Sequence, residues 1–297
     1  MKPFVMRVAF LAALWGVLIV GIAVFRIWRW QPEMRRCHSM GQGRDVLFIG
    51  DSHVGCSIST APKFHNRVIW MGGLGHQFTY MRLLEMDRLG ELDKVKTLVL
   101  EAGYPIFCEQ EKDRLMRNWK TLLPLSWRYA SLLPISRFEL YVRLTSDVLD
   151  GIELIHDAPA NFELLRQAQS WRAKNLKQEF DTHYGWMGHP DKMAIGWEVN
   201  LMTALQGIKS ICHKKNIRLI FYSSPLSSFY RERITQRHEE LFNRHAALVR
   251  SLGCELFDCR SSCPDSEFMD THHLRQACNG RFTECLYGLL GLSVLPD

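Results

Sequence analysis

Five short runs of consecutive apolar residues constrain this chain more than any other feature: "DVLFIG" at 45–50, "NRVIWMGG" at 66–73, "VKTLVLEAG" at 95–103, "NIRLIFYSSP" at 216–225 and "CELFDC" at 254–259. None alternates apolar with polar. A strand that is apolar at successive positions must be buried on both faces, which is the condition of a parallel sheet covered by helices. Helical patterns follow the second run ("QFTYMRLLEMDRLGEL", 77–92) and the fourth ("SSFYRERITQRHEELFNRHAALVRSLG", 227–253, closed by Gly253). Strand, helix, strand in repetition predicts an α/β three-layer sandwich. The stretch between the third and fourth runs, roughly 105–205, is too long for a loop and reads as a helical insertion that covers or walls a site. With 297 residues and 47% apolar content the chain has ample material for one large core.

The ends of those runs carry the chemistry-bearing residues. In an open parallel sheet, ligands bind beyond the carboxyl ends of the strands. Gly50-Asp51-Ser52-His53 ends the first run, Gly72, Gly73 and Gly75 end the second, Gly103 and Tyr104 end the third, and "FMDTHHLRQACNG" follows the fifth. A serine hydroxyl needs an adjacent base and oxyanion donors to act as a nucleophile. Ser52 at a strand-to-helix turn supplies the hydroxyl, His273 the base, and Asp270, on the same loop, holds the other ring nitrogen. His272 is the competing base. Gly73 and Gly75 compete as oxyanion donor. Asp51 reads as a turn stabiliser and His53 as a solvated turn residue with no assigned role. Gln77, Glu101, Tyr104 and the aromatic segment "THYGW" (182–186) read as candidate wall residues.

These motifs resemble those of the GDSL-type, or SGNH, hydrolases. "FIGDSH" looks like the family's first block with its serine nucleophile, "MGGLG" like the second with its oxyanion glycine, and "DTHHL" like the D-x-x-H-L block with acid and base. The resemblance covers about 44–110 and 215–290, and looks strongest toward the membrane-anchored branch acting on cell-envelope polymers, such as alginate acetylation proteins and the D-alanyl transfer protein of teichoic acid systems. It implies a flavodoxin-like sheet of about five strands, Ser52, His273 and Asp270 as catalytic residues, and Gly73, Gly75, Gly103 and Tyr104 around the oxyanion and substrate. It implies no cofactor and no resident metal. It further implies an acylated glycan or lipid substrate, with a membrane-bound acyltransferase as partner. Two departures stand out. The third block has no asparagine, only Glu101, Gly103 and Tyr104, and Arg275 stands where an asparagine is usual, with the glycine displaced to 280.

The first thirty residues read separately. "VAFLAALWGVLIVGIAVF", 8–25, has no charge. As a helix it is ~27 Å long, close to a hydrocarbon core of about 30 Å. No small-residue cleavage site follows, so it reads as a single uncleaved anchor in the cytoplasmic membrane, with Trp28 and Trp30 at the interface. Residues 31–44 read as a polar linker and 45–297 as the hydrolase-like domain. Arg26, Arg29, Arg35 and Arg36 after the span favour a cytoplasmic domain by charge count. The envelope-type resemblance and the cysteine-rich C-terminal region favour a periplasmic one, which is the expectation adopted. Nine cysteines include five at 254–285. They read as disulfides, as buried apolar thiols, or as a zinc set of Cys259, Cys263, Cys278 with His272 or His273. The net charge of +6 is dispersed, and no basic stripe or nucleic-acid motif is present.

Overall fold

The computed structural model describes residues 39–40, 43, 45–70, 75–103, 177, 180 and 197–295, with helical positions scattered through 6–21. All five apolar runs are strands: β2 (Val46–Gly50), β3 (Asn66–Trp70), β4 (Thr97–Glu101), β5 (Arg218–Ser223) and β6 (Glu255–Asp258). They are mutually parallel, and β1 (Ser39–Met40) joins the β3 edge antiparallel, giving the order β1-β3-β2-β4-β5-β6. Counted among the parallel strands alone, the order is second, first, third, fourth, fifth, the doubly wound flavodoxin-like arrangement.

The continuous apolar runs of β2, β3, β4 and β5 are explained by two cores, one on each face, whereas β6, at the sheet edge, has no fully buried residue. Alternate side chains of a strand point to opposite sides. Leu47, Ile49, Leu98, Leu100 and Phe221 pack against α2 (His76–Arg88), α3 (Trp197–Lys214) and Val249 of α5 (Gln236–Ser251). Val46, Phe48, Val99, Ile220 and Tyr222 pack on the other face against α1 (Ser52–Ser57) and α6 (Gln276–Leu290). A short helix, α4 (Ser228–Arg231), lies between β5 and α5. Each fully buried aromatic or aliphatic side chain contributes about 1.5–3 kcal/mol. Phe48, wholly buried, stacks on Tyr287, whose hydroxyl donates to the Phe64 carbonyl at 2.6 Å, so the ring is buried without an orphaned hydroxyl.

Two predicted boundaries move. The stretch 31–44 is not purely linker, because Ser39 and Met40 pair with Ile69 and Val68. Gly43 then donates its N–H to the Asn66 carbonyl at 3.0 Å, so close that a Cβ there would collide with the His65 and Asn66 backbone. The insertion ends sooner than 205: α3 starts at Trp197 and is the crossover between β4 and β5, burying Leu201, Leu205 and Ile208 at helical spacing. The rest of the insertion, including "THYGW", lies outside the described residues apart from residues 177 and 180, as does much of 8–25. Among the described residues no helix is long and apolar enough to cross a membrane. The described cysteines are all free thiols, and Cys37 and Cys108 lie outside them.

Candidate active site

The turn after β2 is built by three adjacent residues. Gly50 is required there, since a Cβ would meet Val54 and Glu101. Asp51 is the N-cap of α1, accepting from the His53 N–H at 2.7 Å. Ser52 is thereby the first residue of a helix, at the carboxyl end of a central strand, and stays partly exposed while its neighbours are buried. Capping belongs to Asp51, so the serine hydroxyl is not spent on it.

The opposing loop runs from Phe268 to Leu274, residues that bridge each other antiparallel. Met269 N–H donates to the His273 carbonyl at 2.9 Å and Arg275 N–H to the Glu267 carbonyl at 2.8 Å. Ser227 Oγ clamps the Thr271 carbonyl from the β5 side at 2.6 Å. Within this frame Asp270 Oδ1 accepts the backbone N–H groups of His272 (2.9 Å) and His273 (2.7 Å), while Oδ2 lies 2.7 Å from His273 Nδ1. His273 Nε2 lies 2.9 Å from Ser52 Oγ. Hydroxyl, imidazole and carboxylate therefore form one hydrogen-bonded chain. Burial alone raises the Asp270 carboxyl, but the His273 charge and its hydrogen bonds outweigh this and hold it below the usual range. The competing base is placed differently: His272 Nδ1 meets Thr271 Oγ1 at 3.0 Å and Asp270 Oδ1 at 3.6 Å. It is His273 that reaches the serine.

The other predicted residues are distributed unevenly. Gly103 lines a shallow recess with room for about one water molecule, together with His53, Glu101, Ser223, Ser224, Tyr230 and Arg260. Gly75 is the N-cap of α2 beyond β3. Gly73 and Tyr104 lie outside the described residues. The zinc set is not assembled: among the described residues, the clusters with metal-ligand spacing are His53–His272–His273 and Asp51–His53–Glu101, with no cysteine in either.

His53 corrects the sequence reading. It is 3% exposed, not a solvated turn residue, because the Phe268–Leu274 loop closes over the start of α1 and packs His272 edge-on and His273 tilted against it, with ring centroids at 5.0 and 5.4 Å. Its Nδ1 lies 2.9 Å from Asp51 Oδ1 and 3.2 Å from Glu101 Oε1. Glu101 Oε2 accepts the Asp51 N–H at 2.8 Å. Burial lowers an imidazole, but the two carboxylates prevail and raise His53 well above its ordinary value. Burial likewise raises Asp51, yet the charge and hydrogen bonds of His53 pull it far below the carboxylate range. Glu101 is pushed up to about 7 by burial and by the Asp51 charge. Glu101 is thus an acceptor bracing the turn. The local signal was Asp51 two residues before His53, an Asx turn, but nothing local announced Glu101 as its second partner.

Glu101→Ala removes the acceptor of a buried N–H and one carboxylate from a buried imidazole. It is expected to cost about 1–3 kcal/mol, with Glu101→Gln losing less because its amide oxygen still accepts from Asp51. Urea denaturation followed by circular dichroism checks this; an alanine variant as stable as wild type would remove the bracing role.

Comparisons with protein-family models, with curated proteins and with solved structures give no match to this chain.

Proposed function

We propose that the chain is a serine esterase or O-acyltransferase, membrane-anchored through residues 8–25, that acts on an acylated cell-envelope glycan or lipid through an acyl-enzyme. The observation that carries this reading is the Ser52–His273–Asp270 chain, at 2.9 and 2.7 Å, at the carboxyl edge of a parallel sheet. The motif resemblance to the SGNH hydrolases supports it. Ser52 Oγ attacks the ester carbonyl while its proton passes to His273 Nε2, and Asp270 compensates the imidazolium and fixes its tautomer. The tetrahedral intermediate collapses to the acyl-serine as His273 protonates the departing alkoxide. Water or an acceptor hydroxyl then gives its proton to His273 and takes the acyl group. Of the turn amides, Asp51 N–H is committed to Glu101 and His53 N–H to Asp51. The reading therefore assigns the oxyanion to the N–H of Ser52 and of Gly73 or Gly75. Gly103 and Tyr104 are assigned to the substrate side, and a membrane-bound acyltransferase supplies the acyl group in the transferase version.

A second reading is an SGNH-fold binding or scaffold subunit without turnover, favoured by the commitment of Glu101 to the turn where the family resemblance expects an oxyanion-donating asparagine. A fluorophosphonate probe separates the two. Wild type is expected to be labelled at Ser52 and Ser52→Ala not at all. A folded wild-type protein that resists the probe supports the scaffold.

In this reading the domain from about residue 45 lies outside the cytoplasmic membrane. Apolar side chains in the N-terminal stretch support the anchor: Phe10 and Val17 are 67% and 71% exposed, as they must be if lipid covers them. C-terminal fusions to alkaline phosphatase and to green fluorescent protein are expected to be active and dark, respectively. The opposite pair of results would put Ser52 in the cytoplasm and exclude an outer-envelope substrate.

A further inference from the structure

A serine–histidine–aspartate chain needs one imidazole, and this site holds three. His53, His272 and His273 are all buried, at 3%, 4% and 8% exposure. The ring centroids of His272 and His273 are 3.9 Å apart, and His53 faces both. One nitrogen of each ring lies within 4.8 Å of the others. An oxygen also stands beside Nδ1 of every ring: Asp51 and Glu101 at His53, Thr271 at His272, Asp270 at His273. That is the supporting arrangement typical of metal-binding histidines, in which an oxygen behind one ring nitrogen sets the tautomer and directs the other nitrogen at the ion. Three carboxylates, Asp51, Glu101 and Asp270, stand behind the rings and balance a dication.

We propose that His53, His272 and His273 form a binding site for a divalent transition-metal ion of the zinc class. Nitrogen donors select zinc, cobalt or nickel over magnesium and calcium, which take oxygen. Small side-chain rotations bring the nitrogens to the bond length of about 2.0–2.1 Å, and Ser52 Oγ or water completes four-coordination. On the hydrolase reading above, the ion is an off switch. Once coordinated, His273 Nε2 has no lone pair to take the Ser52 proton, and no covalent bond to carbon or change of oxidation state is involved.

The full chain in detergent, stripped with chelator, is titrated with Co²⁺ and separately with Zn²⁺. The expected result is one ion per protein. Visible d–d absorption should appear without a thiolate charge-transfer band, and the zinc edge should show nitrogen or oxygen neighbours at about 2.0 Å and no sulfur at about 2.3 Å. His53→Ala/His272→Ala is expected to weaken binding at least 100-fold, in line with loss of two ligands. The absorption-edge measurement needs only wild type, so a variant that fails to fold does not block the test. Absence of stoichiometric binding, or sulfur in the ion's shell, overturns the site. Fluorophosphonate labelling separates this from the hydrolase reading. Saturating zinc is expected to abolish labelling and chelator to restore it. Labelling indifferent to bound zinc overturns the switch, whereas binding without any labelling in the stripped protein leaves the site standing and removes the hydrolase.

Discussion

Asp270→Asn is expected to leave the fold intact and, on the proposed hydrolase reading, to lower ester turnover by about 10⁴-fold. The reason is the double use of this side chain. Oδ1 accepts two backbone N–H groups, from His272 and His273, while Oδ2 faces His273 Nδ1. An asparagine keeps its amide oxygen on the backbone donors, because its NH₂ cannot accept them. The NH₂ is then aimed at Nδ1, which must be the unprotonated nitrogen to receive it. The ring proton moves to Nε2, and His273 donates to Ser52 Oγ instead of accepting from it. Hydrolysis of a short-chain nitrophenyl ester measures the loss, and the near-ultraviolet circular dichroism should be unchanged. His273→Ala is expected to be equally damaging and His272→Ala much less so, since His272 Nδ1 is held by Thr271. An active His273→Ala would sink the assignment.

Replacing the buried pair His76 and His245 by leucines is expected to remove at least about 3 kcal/mol of acid lability between pH 6.5 and pH 4, the contribution of His76 alone. The two rings join α2 to α5, stacked at 5.1 Å with their Nε2 atoms 3.0 Å apart, and both pack against Phe221. One nitrogen donates and the other accepts, so the two rings cannot both be protonated, and burial disfavours charging either one. Burial lowers His76 to about 4, and burial with the neighbouring His76 lowers His245 as well. The unfolded chain therefore binds more protons than the folded one between about 6.5 and 4, and stability is lost as pH falls through that window. Glu101 acts oppositely. Its folded value near 7 lies above its unfolded one, so it adds stability as pH falls from 7 toward 4.5. The wild-type curve alone mixes these effects, and the difference between wild type and His76→Leu/His245→Leu isolates the pair. Urea midpoints at pH 7, 5.5 and 4 supply that difference. Parallel curves for the two proteins would show that the pair is not protonated in this range.

The five parallel strands were legible because each carries its own evidence. A run apolar at successive positions, stopped by glycine, proline or a polar cluster, has few places to go except a covered sheet, although the fifth run lies at its edge and is only half-buried. The edge strand at Ser39–Met40 carries none, since its strand character comes from backbone pairing with Val68 and Ile69. The crossover helix α3 was legible in principle, from Leu201, Leu205 and Ile208, but was absorbed into the long segment before it.

For the site, residue type and strand end were enough to single out Ser52, Asp270 and His273 as side chains that meet, because a serine read as a nucleophile demands a base and an orienting acid. Sequence by itself determined which residues have the right chemistry and that they lie at the same edge of the sheet. Tertiary structure decided the rest. Only the folded chain brings residues 221 positions apart to 2.9 Å and chooses His273 over its neighbour for the serine. It also turns His53 from a nominal turn residue into a buried member of a three-histidine cluster braced by Glu101. Burial is a property of what packs on a residue from elsewhere in the chain, and the loop that covers His53 belongs to the far end of the sequence.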